Sequence, residues 1–596
     1  MKAADAAPAE ARARPRALSA KTMCEAFQTT AAEWAESPAL RFKDSDYEAT
    51  FADYDAAVRR RAAGLAALGV GRGDTVGFML VNRPAFILSD CAAMHLGATC
   101  FSVYNTSSPE QIEYVVADAD NRVIVTEQAF LDRILEARER VYGVEHVVVI
   151  DGDAPEGTIS IEELEAMGDP SFDFEAAWRA VGPEDVLCLI YTSGTTGPPK
   201  GVQLTHGNMM SQLRACAAVH TPASGGRIIS FLPSAHIADR WGCLYSQMAY
   251  GTCVHCCPDP REMIAYSTEV KPTLWGGVPR IWEKLKAALE AGMAAEQDAE
   301  KRKATEWAME VGRRRVAAYM SGGVPDDLQE EWDRADELVF SKIRAMLGLD
   351  EVEWFLVGAA PTPPEVLDFF LAIGIELCEL WGMSETAAVA TLNPPGRVRH
   401  GTVGPPLPGV EVKLAEDGEV MVRGPVVMKG YRNMPEQTAE VLTEDGWLLS
   451  GDIGEFDEAG YLRIIDRKKE LIINAAGKNM SPANIEAKLK GASPLIAHAV
   501  AIGDRRPYNV ALIVIDVETL AARGASPSDP EVALEIERAV AVANERLSRV
   551  EQIKRYRVLE EEWAPGGEEL TPTMKLKRKP IAERYSAQIE ALYAAF

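Results

Sequence analysis

Between residues 74 and 150, short apolar runs (DTVGFML, TCFSVY, RVIVT, HVVVI) alternate with stretches of helical pattern. That alternation constrains the chain most, because successive strands linked through helices pack as parallel α/β units. One helix start is explicit: Ser108 caps, Pro109 fits the first helical position and Gln111 completes a capping box. A second α/β run extends from about 186 to 385 and is interrupted by a polar helical stretch at 281–347. There Ile281, Leu285, Leu289 and Met293 fall at i, i+4 on one side, which predicts an inserted helical layer. From about 395 to 465 the texture changes to short alternating strands with Gly and Pro turns (GVEVKL, GEVMVRG, GYLRII), predicting a small distorted β-barrel. It changes again after Asp466-Arg467-Lys468-Lys469, and 481–596 has the mixture expected of a separate α+β lobe.

The expected organisation is a disordered tail at 1–20, a large N-terminal domain at 21–465 and a mobile C-terminal lobe at 466–596, hinged at 466–469. A chain of 596 residues exceeds what a single core supports. Its net charge of −27 repels nucleic acid and anionic lipid, so a site for a phosphate ligand has to be built locally. The ten scattered cysteines, with no secretory h-region in MKAADAAPAEARARPR, read as reduced thiols of a cytoplasmic protein. No apolar run approaches the ~20 residues that span a bilayer, so any membrane contact is expected to be peripheral.

Residues 192–201, TSGTTGPPKG, contain nothing that a core could use. They fail as a helix-linked P-loop, because Pro199 has no N–H to offer and Gly201 replaces the hydroxyl residue that would hold magnesium. The following GVQLTH alternates like a strand, with no helix expected before about Asn208, so the loop should join two strands. Hydroxyls of Thr192, Ser193, Thr195 and Thr196, the N–H groups of Gly194 and Gly197, and the Lys200 ammonium can still surround a triphosphate.

This loop resembles the phosphate loop of the acyl-adenylate-forming superfamily, to which acyl-CoA synthetases, firefly luciferase and peptide-synthetase adenylation domains belong. Further motifs of that superfamily follow in order: FLPSAHIADRW, WGMSET, LLSGDIGEFDEAGYLRIIDRKKELIINAAGKNMSP and LTPTMKLKRK. The insert, GVPRIWEKLK and VGAAP are most similar to long-chain, including bubblegum-type, acyl-CoA synthetases. The resemblance implies an AMP-forming ligase that joins a fatty acid to coenzyme A through an acyl-adenylate, using ATP and Mg2+.

It also implies roles, residue by residue. Glu385 matches the magnesium ligand, shared with Thr196, and Thr386 a contact to the α-phosphate. Trp381, with Gly382 after it, matches a residue that stacks on adenine, and Gly358, Ala359 and Ala360 a strand-end turn that lets adenine lie against backbone. Asp452 matches the carboxylate that accepts both ribose hydroxyls, and Arg467 the arginine that reaches the same ribose. Lys575 matches the lysine that bridges the acyl carboxylate and α-phosphate, with Lys577 as its competitor; Lys200 and His236 complete the implied catalytic set. Lys469 matches the hinge, and Gly477, Lys478 and Asn479 the surface offered to the pantetheine arm. For the acyl pocket, some relatives place a gating tryptophan four residues after the histidine; here Arg240 is at that position, so Trp241 and Trp275 are the candidates. Two rivals stand beside the ligase: an acyl-AMP ligase that delivers to a carrier protein, and an inactive nucleotide- or acyl-binding relative. The absence of an extra segment between Arg467 and Asn479 favours coenzyme A over a carrier, and the presence of Glu385, Asp452 and Lys575 favours an active enzyme.

Overall fold

The computed structural model describes residues 14–141, 143–192, 198–474, 479–559, 561–572 and 574–594. Its central layer is an eight-stranded sheet whose order runs Gly430–Tyr431, Lys200–Thr205, Val186–Thr192, Thr99–Ser102, Thr75–Met79, Val123–Thr126, His146–Val149, Ile159–Ser160. The strands from Val186–Thr192 to Ile159–Ser160 run parallel, as the strand and helix alternation predicts, while the strands at the other edge are antiparallel. Helix Pro84–His95 buries eleven of its twelve residues, so it lies inside the domain rather than on its surface. Helix Pro109–Asp118 starts with the capping box read from the sequence.

A second sheet orders Leu274–Gly277, Trp354–Val357, Leu377–Trp381 and Thr391–Leu392. The insert packs over it as helices Pro279–Ala295, Ala299–Met320 and Asp326–Ala335, anchored by Trp282, which is wedged between Trp275, Phe355 and Phe370. A third sheet pairs Arg227–Ser230, Cys253–Cys256, Pro38–Phe42 and Glu48–Thr50. The β-subdomain is a four-stranded antiparallel half-barrel, Glu411–Leu414, Glu419–Arg423, Leu448–Phe456 and Leu462–Arg467. The C-terminal lobe builds its own core on a sheet of Ile496–Ile502, Asn509–Ile515 and Ile553–Leu559.

Two boundaries differ from the sequence reading. Residues 16–19 form a short 3-10 helix rather than part of a tail, because Ala17, Leu18 and Ala20 are buried in the main core and Arg214 donates to the carbonyls of Leu18 and Ala20. The last barrel strand carries the N-terminal domain through Arg467, two residues past the expected edge, because its ladder with Leu448–Phe456 continues to the pair Asp452 and Arg467. All ten cysteines are free and buried, and no helix among the described residues is long and apolar enough to cross a membrane.

Arg240 is fully buried and ion-paired with Asp90 of the buried helix at 2.7 Å. It also donates to Ser234 O, Ser102 Oγ and Tyr245 Oη, so its guanidinium is well supplied with acceptors, whereas Asp90 Oδ1 has no hydrogen-bond partner. Removing one member of such a pair strands a charge in the interior. Arg240→Met is expected to cost about 3–5 kcal/mol, and adding Asp90→Leu to recover much of it, read from the urea midpoints of the three proteins.

Candidate active site

The loop that carries most of the sequence signal joins the strands Val186–Thr192 and Lys200–Thr205, which are antiparallel neighbours with Thr192 opposite Lys200. The expected strand-to-strand connection is therefore present; the next helix, His206–Val219, begins two residues before the expected start, with Thr205 and Asn208 forming a capping box. Gly201 has a steric reason: a Cβ there would approach the ring of Tyr191 to 3.1 Å. Tyr191 in turn donates to Asp118 Oδ2 at 2.8 Å, fixing the base of the loop to helix Pro109–Asp118. Strand Gly430–Tyr431 pairs alongside, with Tyr431 opposite Val202. Lys200 is two residues from Val202 and so on the same face, and its ammonium stands 4.7 Å from the centroid of the Tyr431 ring.

Across from this loop, strand Leu377–Trp381 delivers Trp381 and then turns sharply at Gly382, where a Cβ would lie 2.2 Å from Ala388 O. The short 3-10 turn Ser384–Thr386 follows, and Ala387 and Ala388 both take positive φ (52° and 97°), a strained backbone of the kind concentrated at functional sites. Ala359, in the other strand-end turn, is also left-handed at φ 71°. Within the Ser384–Thr386 turn Glu385 is buried and accepts a hydrogen bond from Tyr431 Oη at 2.8 Å. Thr386 is fully buried, and its hydroxyl is engaged with the backbone of Met383.

Trp381 does more than present a ring face: its indole Nε1 donates to Asp452 Oδ2 at 2.8 Å. The other Asp452 oxygen faces Arg467 Nε at 3.2 Å but has no hydrogen bond, which leaves a buried acceptor unsatisfied. Burial raises the Asp452 pKa, opposed by Arg467, by the Trp381 N–H and by Lys575.

Lys575 comes from the other lobe. A tight turn presents it: Thr571 N donates to Lys575 O at 2.8 Å, Lys575 N donates to Thr571 Oγ1 at 3.0 Å, and Met574 is left-handed at φ 65°. The side chain is solvent-exposed and stands within electrostatic reach of Arg467, Asp452, Glu385 and Glu470, in the open cleft where the two lobes meet. Desolvation by the surrounding protein lowers its pKa and Arg467 lowers it further, against the pull of Asp452, Glu385 and Glu470. Lys577 is spent elsewhere, donating to Gly567 O at 2.8 Å within its own lobe. His236 adjoins the same cleft; burial, then the charge of Lys575, bring its pKa down to about 4, so the ring is neutral near pH 7. Its Nδ1 accepts from Ala238 N at 3.1 Å, which leaves the ring proton on Nε2.

Residue 469, the expected hinge, is flanked by ion pairs on its two sides. Lys468 is tied to the half-barrel through Asp417 and Glu419 at 2.5 and 2.8 Å, whereas Glu470 pairs with Arg578 of the C-terminal lobe at 2.9 Å. Lys469 lies exposed between them. The lobe also docks on the insert through Lys490 with Glu283 (3.2 Å), Lys284 with Glu518 (2.5 Å), and Arg280 with Asp516.

The structure thus brings together Lys200, Trp381, Gly382, Glu385, Asp452, Arg467, Lys575 and His236. Ser193, Gly194, Thr195, Thr196, Gly197, Gly477 and Lys478 lie outside the described residues, and Asn479 is placed only by its backbone pairing with Ile473. Gly358 closes on Leu380, where a Cβ would come within 2.6 Å of its side chain, while Ala359 and Ala360 are exposed. Trp241 and Trp275 are both buried, and each indole N–H is without a hydrogen-bond partner; Trp275 is edge-on to Trp282 at 4.5 Å. Sequence reasoning missed Tyr431, whose local signal was the KGYRN segment, and Arg578, which it left unassigned within LTPTMKLKRK.

The unsatisfied Asp452 oxygen fits a hydroxyl-bearing ligand, and the buried Glu385 carboxylate fits a hard divalent cation. Solved structures share this fold. The anthranilate CoA ligase AuaEII in complex with anthranoyl-AMP superposes with a TM-score of 0.74 at 20% identity, covering 96% of this chain and 98% of that one. The adenylation domain of a carboxylate reductase from Mycobacterium chelonae gives 0.75 at 20% identity, covering 98% and 94%. The architecture is that of the adenylate-forming enzymes. Residues 27–432 match the AMP-binding enzyme family and residues 469–596 the AMP-binding enzyme C-terminal domain, and the chain belongs to that family. Among relatives, the putative fatty-acid–CoA ligase fadD11 of Mycobacterium tuberculosis is 54% identical over 451 residues, 74% of this chain and 79% of the relative. The long-chain-fatty-acid–CoA ligase FadD15 of Mycobacterium bovis is 34% identical over 559 residues, 90% of each. The long-chain-fatty-acid–CoA ligase ACSBG2 of Xenopus laevis is 31% identical over 630 residues, 96% of this chain and 84% of the relative.

Trp381→Phe keeps an aromatic face and removes the donor to Asp452. AMP affinity measured by calorimetry is expected to fall roughly tenfold, the scale of one hydrogen bond to a charged group.

Proposed function

We propose that the protein is an AMP-forming long-chain fatty-acid–CoA ligase and that Lys575, Glu385, Asp452, Lys200 and His236 are its working residues. The observation that carries this reading is the placement of Lys575 of the C-terminal lobe in one cleft with the carboxylates and the neutral histidine of the N-terminal domain. Asp452 would accept the ribose hydroxyls, with Trp381 orienting its carboxylate and Arg467 at the rim. The loop from Thr192 through Thr196 to Lys200 would wrap the phosphates. A magnesium ion, when bound, offsets the charge that develops on pyrophosphate, and Glu385 with Thr196 would hold it.

In the first step an oxygen of the fatty-acid carboxylate bonds to the α-phosphorus of ATP while the bond to pyrophosphate breaks. Two anions have to meet, and the Lys575 ammonium offsets their repulsion. The Nε2 proton of His236 is free to donate to the carboxylate. In the second step the sulfur of coenzyme A attacks the acyl carbon, AMP leaves with the electrons of the acyl–oxygen bond, and the thiol proton passes to solvent. Lys575 would obstruct that attack, so the lobe turns about Lys469 and presents Gly477, Lys478 and Asn479 to the pantetheine arm. The fatty-acid specificity of the reading rests on the named activities of the relatives.

Lys575→Ala is expected to slow adenylate formation by about 10²–10³-fold while transfer from preformed acyl-AMP to coenzyme A stays within a few-fold; Lys577→Ala should alter neither step strongly. Pyrophosphate and thioester release with MgATP and carboxylic acids of graded length, with and without coenzyme A, tests both residues and the substrate. Sustained turnover requiring coenzyme A supports the ligase. One stoichiometric burst of pyrophosphate that stalls with coenzyme A present would move the acyl group to another acceptor.

A further inference from the structure

Tyr431 is buried between two groups of opposite charge. Its hydroxyl donates to Glu385 Oε1 at 2.8 Å, and its ring face carries the Lys200 ammonium 4.7 Å from the centroid. Among the described residues Lys200 and Glu385 form no ion pair, although both contact this one side chain. The segment that supplies Tyr431 also fixes the backbone of the glutamate, since Met428 N donates to Glu385 O at 2.8 Å. Tyr431 is itself over-determined: its strand pairs with Lys200–Thr205, its N–H donates to Thr438 Oγ1 at 3.0 Å, and Gly430 before it takes φ +144°.

We infer that Tyr431 is a positioning residue that keeps the cation-binding carboxylate and the phosphate-loop lysine apart and aimed, one by its hydroxyl and the other by its ring. If the two met, Lys200 and Glu385 would neutralise each other, and neither would be available, one to a phosphate and the other to a metal ion. The hydroxyl occupies one oxygen of Glu385 and, as a neutral donor, leaves the carboxylate its charge. The ring offers Lys200 an attractive surface that is weaker than an anion, so an arriving phosphate takes the ammonium over. This inference rests on the reading of Glu385 as a magnesium ligand.

The two functions of the tyrosine separate by substitution. Tyr431→Phe removes the hydroxyl and keeps the ring and its packing; Tyr431→Leu removes both. The measurement is equilibrium binding of ATP by the full chain, without carboxylic acid and therefore without turnover, in EDTA and across a magnesium titration. For Tyr431→Phe the magnesium concentration that half-saturates the enhancement of ATP binding should rise about tenfold, the lower end of what an outer-shell partner contributes to metal affinity, with binding in EDTA unchanged within about twofold. For Tyr431→Leu binding in EDTA should also weaken, by roughly threefold, as Lys200 loses its rest position. Glu385→Gln separates the two levels of the argument. If it leaves the magnesium dependence intact, the reading of Glu385 fails. If it abolishes that dependence while Tyr431→Phe does not shift it, or Tyr431→Phe weakens ATP equally with and without the ion, the positioning inference alone is overturned.

Discussion

An ammonium carried by one lobe stands beside carboxylates carried by another, and much of the architecture follows from holding it there. Lys575 is in an open cleft where desolvation and Arg467 disfavour its charge while Asp452, Glu385 and Glu470 favour it. Such a balance is sensitive to small displacements, because electrostatic terms are strong where water is partly excluded. The tight turn that presents Lys575 and the Arg578 pairs with Glu470 and Glu486 supply the required rigidity within the lobe. Between the lobes ion pairs act as well. Lys284 with Glu518 is an exposed pair and individually weak, whereas Lys490 with Glu283 and Arg280 with Asp516 are partly buried.

A large apolar interface would fix the orientation of the lobe, whereas ion pairs hold it without committing it. Lys468 is anchored to the half-barrel and Glu470 to the C-terminal lobe, with the exposed Lys469 between the two anchors. The N-terminal domain, by contrast, is stiffened through its centre by the buried helix Pro84–His95 and by the Arg240 pair with Asp90. Arg240, at the position where the resemblance led to the expectation of a gating tryptophan, is a buried strut, and Trp241 beside it is buried with an indole N–H that has no partner.

Tyr431, which the sequence reading missed, and Trp381, which the resemblance assigned to adenine stacking, share a feature. Each is an aromatic residue whose polar end holds a carboxylate, Glu385 in one case and Asp452 in the other. Both acids are thereby oriented without being neutralised, since a phenol and an indole donate a hydrogen bond but bring no charge.

The strand and helix alternation, the insert, the half-barrel and the change of texture at 466–469 were legible in the sequence because hydrophobic period and turn chemistry are local properties. So was the strand-to-strand nature of the phosphate loop, since Pro199 and the alternation after Gly201 exclude a helix there. Glu385, Asp452 and Lys575 could be singled out from motif order, but their meeting could not, because they are brought together by a sheet end, a barrel strand and a separate lobe. The choice between Lys575 and Lys577 shows the difference. In sequence, motif register alone favours Lys575 over Lys577, and the fold adds the physical reason by directing one towards the carboxylates and tying the other to Gly567 O. Likewise, residues 16–20 read as a tail until the core that buries Leu18 exists. Local sequence determined which elements form and where the chain can bend; tertiary structure decided which charges face one another, because proximity between residues hundreds of positions apart is a property of packing and not of period.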